Sequence, residues 1–286
     1  MGAATARSAS GLSGTIIDDL RRSIAPIPRA AWAKIDETAA QVLRLDLAAR
    51  KLVEFRGPLG WGASSLSLGR IDRLSAEPAS GVTASVRKVQ PLVELRATFE
   101  LSREELDDVA RGAEQPDLDP LIAAAAHLAY AEDRAVFHGY AAGGITGLCA
   151  ATPHAPVRAT GAYESYPPAV AEATRVLRMA GVDGPYALAL GPACYTGLSQ
   201  AMGRGGYPVL DVVRQLVGGP VVWAPALEDA VVLSMRGGDF ELAIGQDVSI
   251  GYDDHTTTTV RLYLIESMTF RILAPEAAVV IAPAPS

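Results

Sequence analysis

Cysteine is scarce in this 286-residue chain: Cys149 and Cys194, 45 residues apart, are the only two. A disulfide framework needs more of them at closer spacing, and so low a count fits a reducing compartment. Histidine is equally sparse. His127, His138, His154 and His255 are the whole set, none within four residues of another, so the short-spaced ligand pattern of a zinc site is missing. No run of about 18 apolar residues occurs, which argues against a membrane span. Near the start the longest apolar run is Ile16-Ile17, too short for a secretory core, and the cytoplasm is the expected location. Positive charge is not in surplus. The formal net charge is −7, which disfavours broad binding to phosphate backbones, so neither nucleic acid nor membrane is an expected partner.

Catalytic signatures are absent too. There is no G-x-S-x-G, no P-loop and no G-x-G-x-x-G. His127 and His138 share a face of a predicted helix, but eleven residues of rise put them about 16 Å apart, too far to hold one metal. Glu132 and Asp133 are adjacent, so on a helix they point in different directions and do not form an acid–base pair. Cys194 stands near a helix start without a base beside it in sequence, and reads as a buried, inert thiol. No catalytic residue, metal or cofactor is expected.

What is present is ample apolar material, 49% of residues against 20% charged, enough for a sizeable core. Trp32, Ile35, Ala39, Val42, Leu43 and Leu47 recur at helical spacing after Pro28. From Arg56 to about Gln90 the chain is rich in Gly, Ser and Ala, with weak alternation at Leu66, Leu68, Ile71 and Leu74. It reads as a hairpin without large enough side chains for its own core, which makes sense only when paired with a neighbouring subunit. Residues 91–101 alternate as a strand. Ser102 and Glu105 form a capping-box pattern before a helix over 103–111. Asp119-Pro120 starts a longer helix to Phe137. Residues 145–235 read as an α/β module: a helix opened by Pro167-Pro168, a strand over 186–190, a helix from Pro192, a Gly-rich loop at 202–208, and strands at 221–223 and 231–235. Segments 240–252, 259–267 and 269–273 are strand-like.

The strings APIPRAAW (25–32), GPLGW (57–61), PLVELRATFELSREELDDVARG (91–112), AEDRAVFHG (131–139), GPYALAL (184–190) and RGGDFELAIGQDVSIGY (236–252), in this order, resemble the family one encapsulins over about residues 18–283. The resemblance implies an α+β, Hong Kong 97-type phage capsid fold. In it a peripheral domain takes residues 18–55, 92–140 and 237–284, an extended loop takes 56–91, and an axial domain takes 141–236. Residues 1–17 precede it as a flexible extension. It implies self-assembly of about 60 copies into an icosahedral shell. The enclosed cargo is expected to be an enzyme such as a dye-decolourising peroxidase or a ferritin-like protein. The cargo's C-terminal peptide is expected to bind Leu43, Leu47, Arg50 and Val53 on and after the first helix, with Asp247, Val248, Ser249 and Ile250 opposite. Arg50 and Asp247 would fix its register. Met202, Gly203, Arg204, Gly205, Gly206 and Tyr207 would form the loop at the five-fold opening. ASGLSGTI (9–16) loosely shares the small and apolar character of such a peptide. A phage capsid protein is the alternative reading, and a peptidase or bacteriocin-type enzyme a remoter one.

Overall fold

The structure, a computed structural model, describes residues 19–159, 162–203 and 205–283. The expected extension over residues 1–17 and the pore-loop residue Arg204 lie outside the described residues.

Helix α1 spans Arg29–Asp46 and buries Ala31, Ile35 and Ala39 along one face, the stripe expected from periodicity. A short strand β1 (Glu54–Arg56) follows. The arm is a two-stranded antiparallel hairpin, β2 (Ser65–Arg73) with β3 (Ser85–Pro91). Nearly all of its side chains are exposed; Leu66 at its base is buried. Gln90 Nε2 donates to the Phe270 carbonyl at 2.7 Å and anchors that base.

Strand β4 (Val93–Ser102) leads directly into α2 (Arg103–Arg111). Ser102 Oγ accepts from the Glu105 N–H at 3.5 Å, so one half of the capping box forms. Glu105 instead accepts from the Asp117 N–H at 3.0 Å, tying the next loop to α2. The long helix α3 runs Asp119–Phe137, as its Ala-rich pattern predicts. After it come a small hairpin, β5 (Gly139–Tyr140) with β6 (Ile145–Thr146), and a single helical turn, α4 (Leu148–Ala151).

The inserted module contains β7 (Val157–Ala159), α5 (Tyr166–Met179), β8 (Tyr186–Leu190), α6 (Pro192–Gln200), α7 (Val209–Val217), β9 (Gly218–Trp223) and β10 (Ala230–Ser234). Helix α7 has no counterpart among the sequence expectations. Its signal is the apolar set Val209, Leu210, Val213 and Val217, all buried, at helical spacing behind the Gly-rich loop.

The chain closes with β11 (Phe240–Ile244), β12 (Ser249–His255), β13 (Thr259–Ile272) and β14 (Ala278–Pro283). The two segments expected at 259–267 and 269–273 are one 14-residue strand. One sheet has the order β1-β11-β13-β12, with β4 also paired to β13. The other has the order β7-β14-β10-β8-β9. Strand β14 therefore leaves the segment expected to be wholly peripheral and hydrogen-bonds into the sheet of the inserted module. The reason is apolar demand. Ala278, Val279 and Ile281 are fully buried, and an all-apolar strand gains most where both of its faces are covered.

Two apolar cores result. One joins α1, α2, the first part of α3, β4, β12 and β13. The larger one fills the inserted module and reaches through Ala135, Val136 and Phe137 to Phe240, Leu242, Ile244 and Phe270. The strings GPLGW and GGDFELAIGQDVSIGY meet in space: the Leu59 N–H donates to Ile244 O and the Gly60 N–H to Gly245 O, both at 2.9 Å. At Gly57 (φ +145°) a Cβ would lie 2.5 Å from the Ile244 carbonyl oxygen, so only glycine allows this approach.

Candidate functional site: a groove between α1 and β12

A cavity of about 280 Å3 opens between α1 and the beginning of β12. Helix α1 contributes Asp36, Ala39, Ala40 and Leu43, which share a face by their three- and four-residue spacing. Val248, Ser249 and Ile250 face them, with Leu264 from β13 below. Leu20 and Arg22 close one end. Arg22 Nη2 donates to Asp36 Oδ2 at 2.7 Å, and its guanidinium stacks over Trp32 at 3.9 Å.

Of the eight positions expected to bind a peptide, four converge here: Leu43, Val248, Ser249 and Ile250. Leu47 is buried away from the cavity. Val53 packs on the larger core and lines a separate cavity with Met235 and Phe240. Asp247 sits at the turn before the groove, where its Oδ1 accepts from the Val248 N–H at 2.8 Å. Leu20, Arg22, Asp36, Ala39, Ala40 and Leu264 were not foreseen. The α1 members were legible as one face at helical spacing, whereas Leu20, Arg22 and Leu264 come close only through folding.

The walls are pre-set. Gln246 Nε2 donates to Ser249 Oγ, and Ser249 Oγ to Asp247 O, both at 2.7 Å, so the turn into β12 is self-braced. The Tyr252 N–H points away from β13 and donates to Leu20 O at 2.8 Å. Residues two apart on a strand direct their backbone groups to the same side. The N–H and C=O of Ile250, opposite Leu264, are therefore aimed at the groove edge.

Arg50 does not reach the groove, contrary to expectation. Its guanidinium binds Glu132 bidentately through Nε and Nη2 (2.9 and 2.6 Å), Glu266 through Nη2 (2.9 Å) and Asp247 through Nη1 (2.7 Å). Its side chain is 17% exposed, and those of Glu132 and Glu266 are fully buried. Burial opposes the Arg50 charge, but the surrounding carboxylates outweigh it and its pKa is raised. Asp133, next to Glu132, turns the other way. Its two oxygens accept from the Ala48 and Ala49 N–H groups, both at 2.9 Å. The carboxylate pair is thus structural: each member pins the segment after α1 to α3.

Burial pushes Asp133 up to about 7, against those two hydrogen bonds. Burial and the neighbouring Glu132 charge raise Glu266 well above the usual carboxylate range, with Arg50 opposing. The folded chain thus holds both protons more tightly than the unfolded chain, whose carboxyls titrate near 4. Stability contributed by these groups falls as pH rises above that value and is lost once the folded pKa values are passed. Melting is expected at a higher temperature at about pH 5.5 than at about pH 8, and Glu266→Gln should flatten the dependence. A melting temperature that rises with pH over this window, by differential scanning fluorimetry, would contradict this assignment.

Elsewhere the chemistry is quiet. Tyr166 Oη lies 3.0 Å from Cys194 Sγ, and burial raises the Cys194 thiol; burial pushes Cys149 up to about 12. Neither sulfur is a ready thiolate. His138 Nε2 hydrogen-bonds Ala226 O at 2.9 Å, a packing role. Among the described residues no three His, Cys, Asp or Glu side chains are grouped to hold a metal ion, and no helix is long and apolar enough to cross a membrane.

The Gly-rich loop between α6 and α7 is a tight turn. The Gly203 N–H donates to Tyr207 O at 2.9 Å and the Gly206 N–H to Gly203 O at 3.0 Å, while Met202 bridges to Pro208. Gly205 (φ +110°) and Gly206 (φ +79°) take a backbone that other residues rarely adopt. The Tyr207 ring lies against Gly203, and Met202 and Tyr207 are exposed.

Residues 17–269 match the Linocin_M18 family, described as an encapsulating protein for peroxidase. A type 1 encapsulin shell protein of Rhodospirillum rubrum is 53% identical over 268 residues, covering 92% of this chain and 96% of that protein. Among solved structures, the virus-like particle of Pyrococcus furiosus aligns with a TM-score of 0.60 at 17% identity, over 88% of this chain and 99% of that one. Gordonia phage Cozz aligns with a TM-score of 0.55 at 16% identity, over 84% and 87%. These neighbours carry the Hong Kong 97-type capsid fold, and the role that the curated relatives' names give them is structural rather than catalytic. With its family match over most of its length and this fold beneath it, the chain belongs to the encapsulin shell-protein family.

Proposed function

We propose that this chain is the subunit of a closed icosahedral shell of about 60 copies. The shell encloses cargo enzymes in the cytoplasm by holding their C-terminal peptides in the α1–β12 groove. The observation that carries the cargo reading is the groove itself. It combines an apolar floor (Leu43, Ile250, Leu264), one ion pair (Arg22–Asp36) and an outward backbone edge at Ile250. An extended apolar peptide needs greasy pockets for its side chains and strand-edge partners for its backbone. The family's description points to a peroxidase as cargo, and a ferritin-like protein suits the same mode. The Met202–Tyr207 loop is assigned to the five-fold opening, and Arg204 in its sequence carries positive charge. The encapsulin reading is preferred to the phage reading because identity is 53% to an encapsulin shell protein and 16% to the phage protein.

The test uses particles purified from the native host. Ile250 is too deep in the core for a clean substitution, whereas Leu43 is half-buried and Ala40 exposed. Leu43→Asp and Ala40→Phe should each leave closed particles under negative-stain microscopy and lower co-purifying cargo by about tenfold, the effect of losing about 1.4 kcal/mol of binding. Undiminished cargo in both variants would refute the docking assignment.

A further inference from the structure

The described chain starts at Asp19, and its first residues already belong to the groove. Leu20 and Arg22 line it, and Leu20 O receives the hydrogen bond from the Tyr252 N–H on β12. The family match starts at residue 17, so residues 1–16 precede the part of the chain shared with the family. Between residues 2 and 16, Arg7 is the only charged side chain, and Leu12 and Ile16 are the large aliphatic ones, set among Ala, Gly, Ser and Thr. Small residues let a backbone approach a strand edge closely, and isolated aliphatic side chains fill pockets of the kind formed by Leu43 and Ile250.

We propose that residues 9–16 of the chain itself occupy the α1–β12 groove and compete there with cargo peptides. The proposal rests on the reading of that groove as the cargo dock. The tether makes the competition effective. From Leu12 to Leu20 is eight residues, which reach at most about 27 Å when extended. A segment held that near its site acts at an effective concentration on the order of millimolar. A free peptide of equal intrinsic affinity then stays excluded below that concentration, so only tighter or more abundant cargo tails enter. The tail thereby sets a threshold for loading.

The probe is a green fluorescent protein ending in ASGLSGTI, co-expressed with the full-length chain, and the readout is reporter fluorescence per purified particle. Leu12→Asp with Ile16→Asp should raise uptake about tenfold over the wild type, because the tethered competitor is removed. Adding Leu43→Asp and Ala40→Phe should return uptake to the level of an untagged reporter. Equal uptake in wild-type and Leu12→Asp, Ile16→Asp shells overturns the proposal, as does uptake in the latter no higher than that of the untagged reporter. If uptake is high and the groove substitutions leave it unchanged, it is the assignment of the groove as the dock that fails.

Discussion

Replacing Arg50 with alanine is expected to lower the unfolding free energy of the protomer by about 3–5 kcal/mol, the range for removing one partner from a buried ion pair. Among the described residues, Arg50 is the one cation paired with Glu132, Glu266 and Asp247. Glu132 and Glu266 are fully buried, and Glu266 Oε1 has no hydrogen-bond partner even with Arg50 in place. Without the guanidinium, Glu132 and Glu266 face each other in the interior with no cation to offset them. The same side chain also ties the segment after α1 to α3, β13 and the turn before β12, so its loss loosens the groove wall. Arg50→Lys should rescue little, since an ammonium cannot make the bidentate contact with Glu132 while also reaching two further carboxylates. Glu266→Gln in the Arg50→Ala background should recover part of the loss, because it removes one uncompensated acid. Urea midpoints at constant slope would report these differences. A midpoint for Arg50→Ala within error of the wild type would mean that the cluster is not held by this residue.

Substituting Ile71→Asp together with Val89→Asp on the arm is expected to abolish particle formation while leaving the protomer folded. The arm is a two-stranded hairpin, and such a hairpin is marginal in water without a further partner. Ile71 is 60% exposed and Val89 52% exposed. Ile71 sits opposite Arg87, with Val89 two residues along the same strand, so both project from one face of the hairpin. Aliphatic residues there, beside open strand edges, are what a neighbouring subunit would cover. Two aspartates on that face put charge into the buried contact at a cost of several kcal/mol per interface. Closure of a shell repeats that cost at every copy, so the outcome should be all or none. Size-exclusion chromatography and negative-stain microscopy give the assembly state, and far-UV circular dichroism the fold. Particles at wild-type yield would show that the arm does not make the contact between subunits.

Much of the fold was readable one element at a time. Helix α1, α2, α3 and the strand Tyr186–Leu190 follow from periodicity and end signals, because backbone geometry sorts apolar residues at 3.6 or 2 per repeat. Helix α7 carries an equally regular set in Val209, Leu210, Val213 and Val217, but the Gly-rich loop just before it supplies no Ser, Thr, Asp or Asn to cap it and so mark its start. The continuity of β13 was hidden because Ser267 looks like a break. In the structure Ser267 Oγ accepts from the Gln246 N–H at 2.8 Å, so a polar residue is satisfied in mid-strand. Of the candidate site, Leu43, Val248, Ser249 and Ile250 follow from family resemblance; Ala39 belongs to the α1 stripe by periodicity, but only folding shows that it and Ala40 face β12.

Arg50 marks the boundary between the two kinds of knowledge. Length, apolar content, the missing catalytic and metal patterns, and the underfilled arm were determined by sequence alone, since each is a property of composition or local spacing. Tertiary structure decided which charges meet. It brought together Arg50, Glu132, Asp247 and Glu266, up to 216 positions apart along the chain, and it left the groove to Arg22 and Asp36 instead. It also sent β14 into the second sheet. Such choices depend on summed burial and on charge satisfaction across distant segments, and no local pattern in the chain encodes those sums.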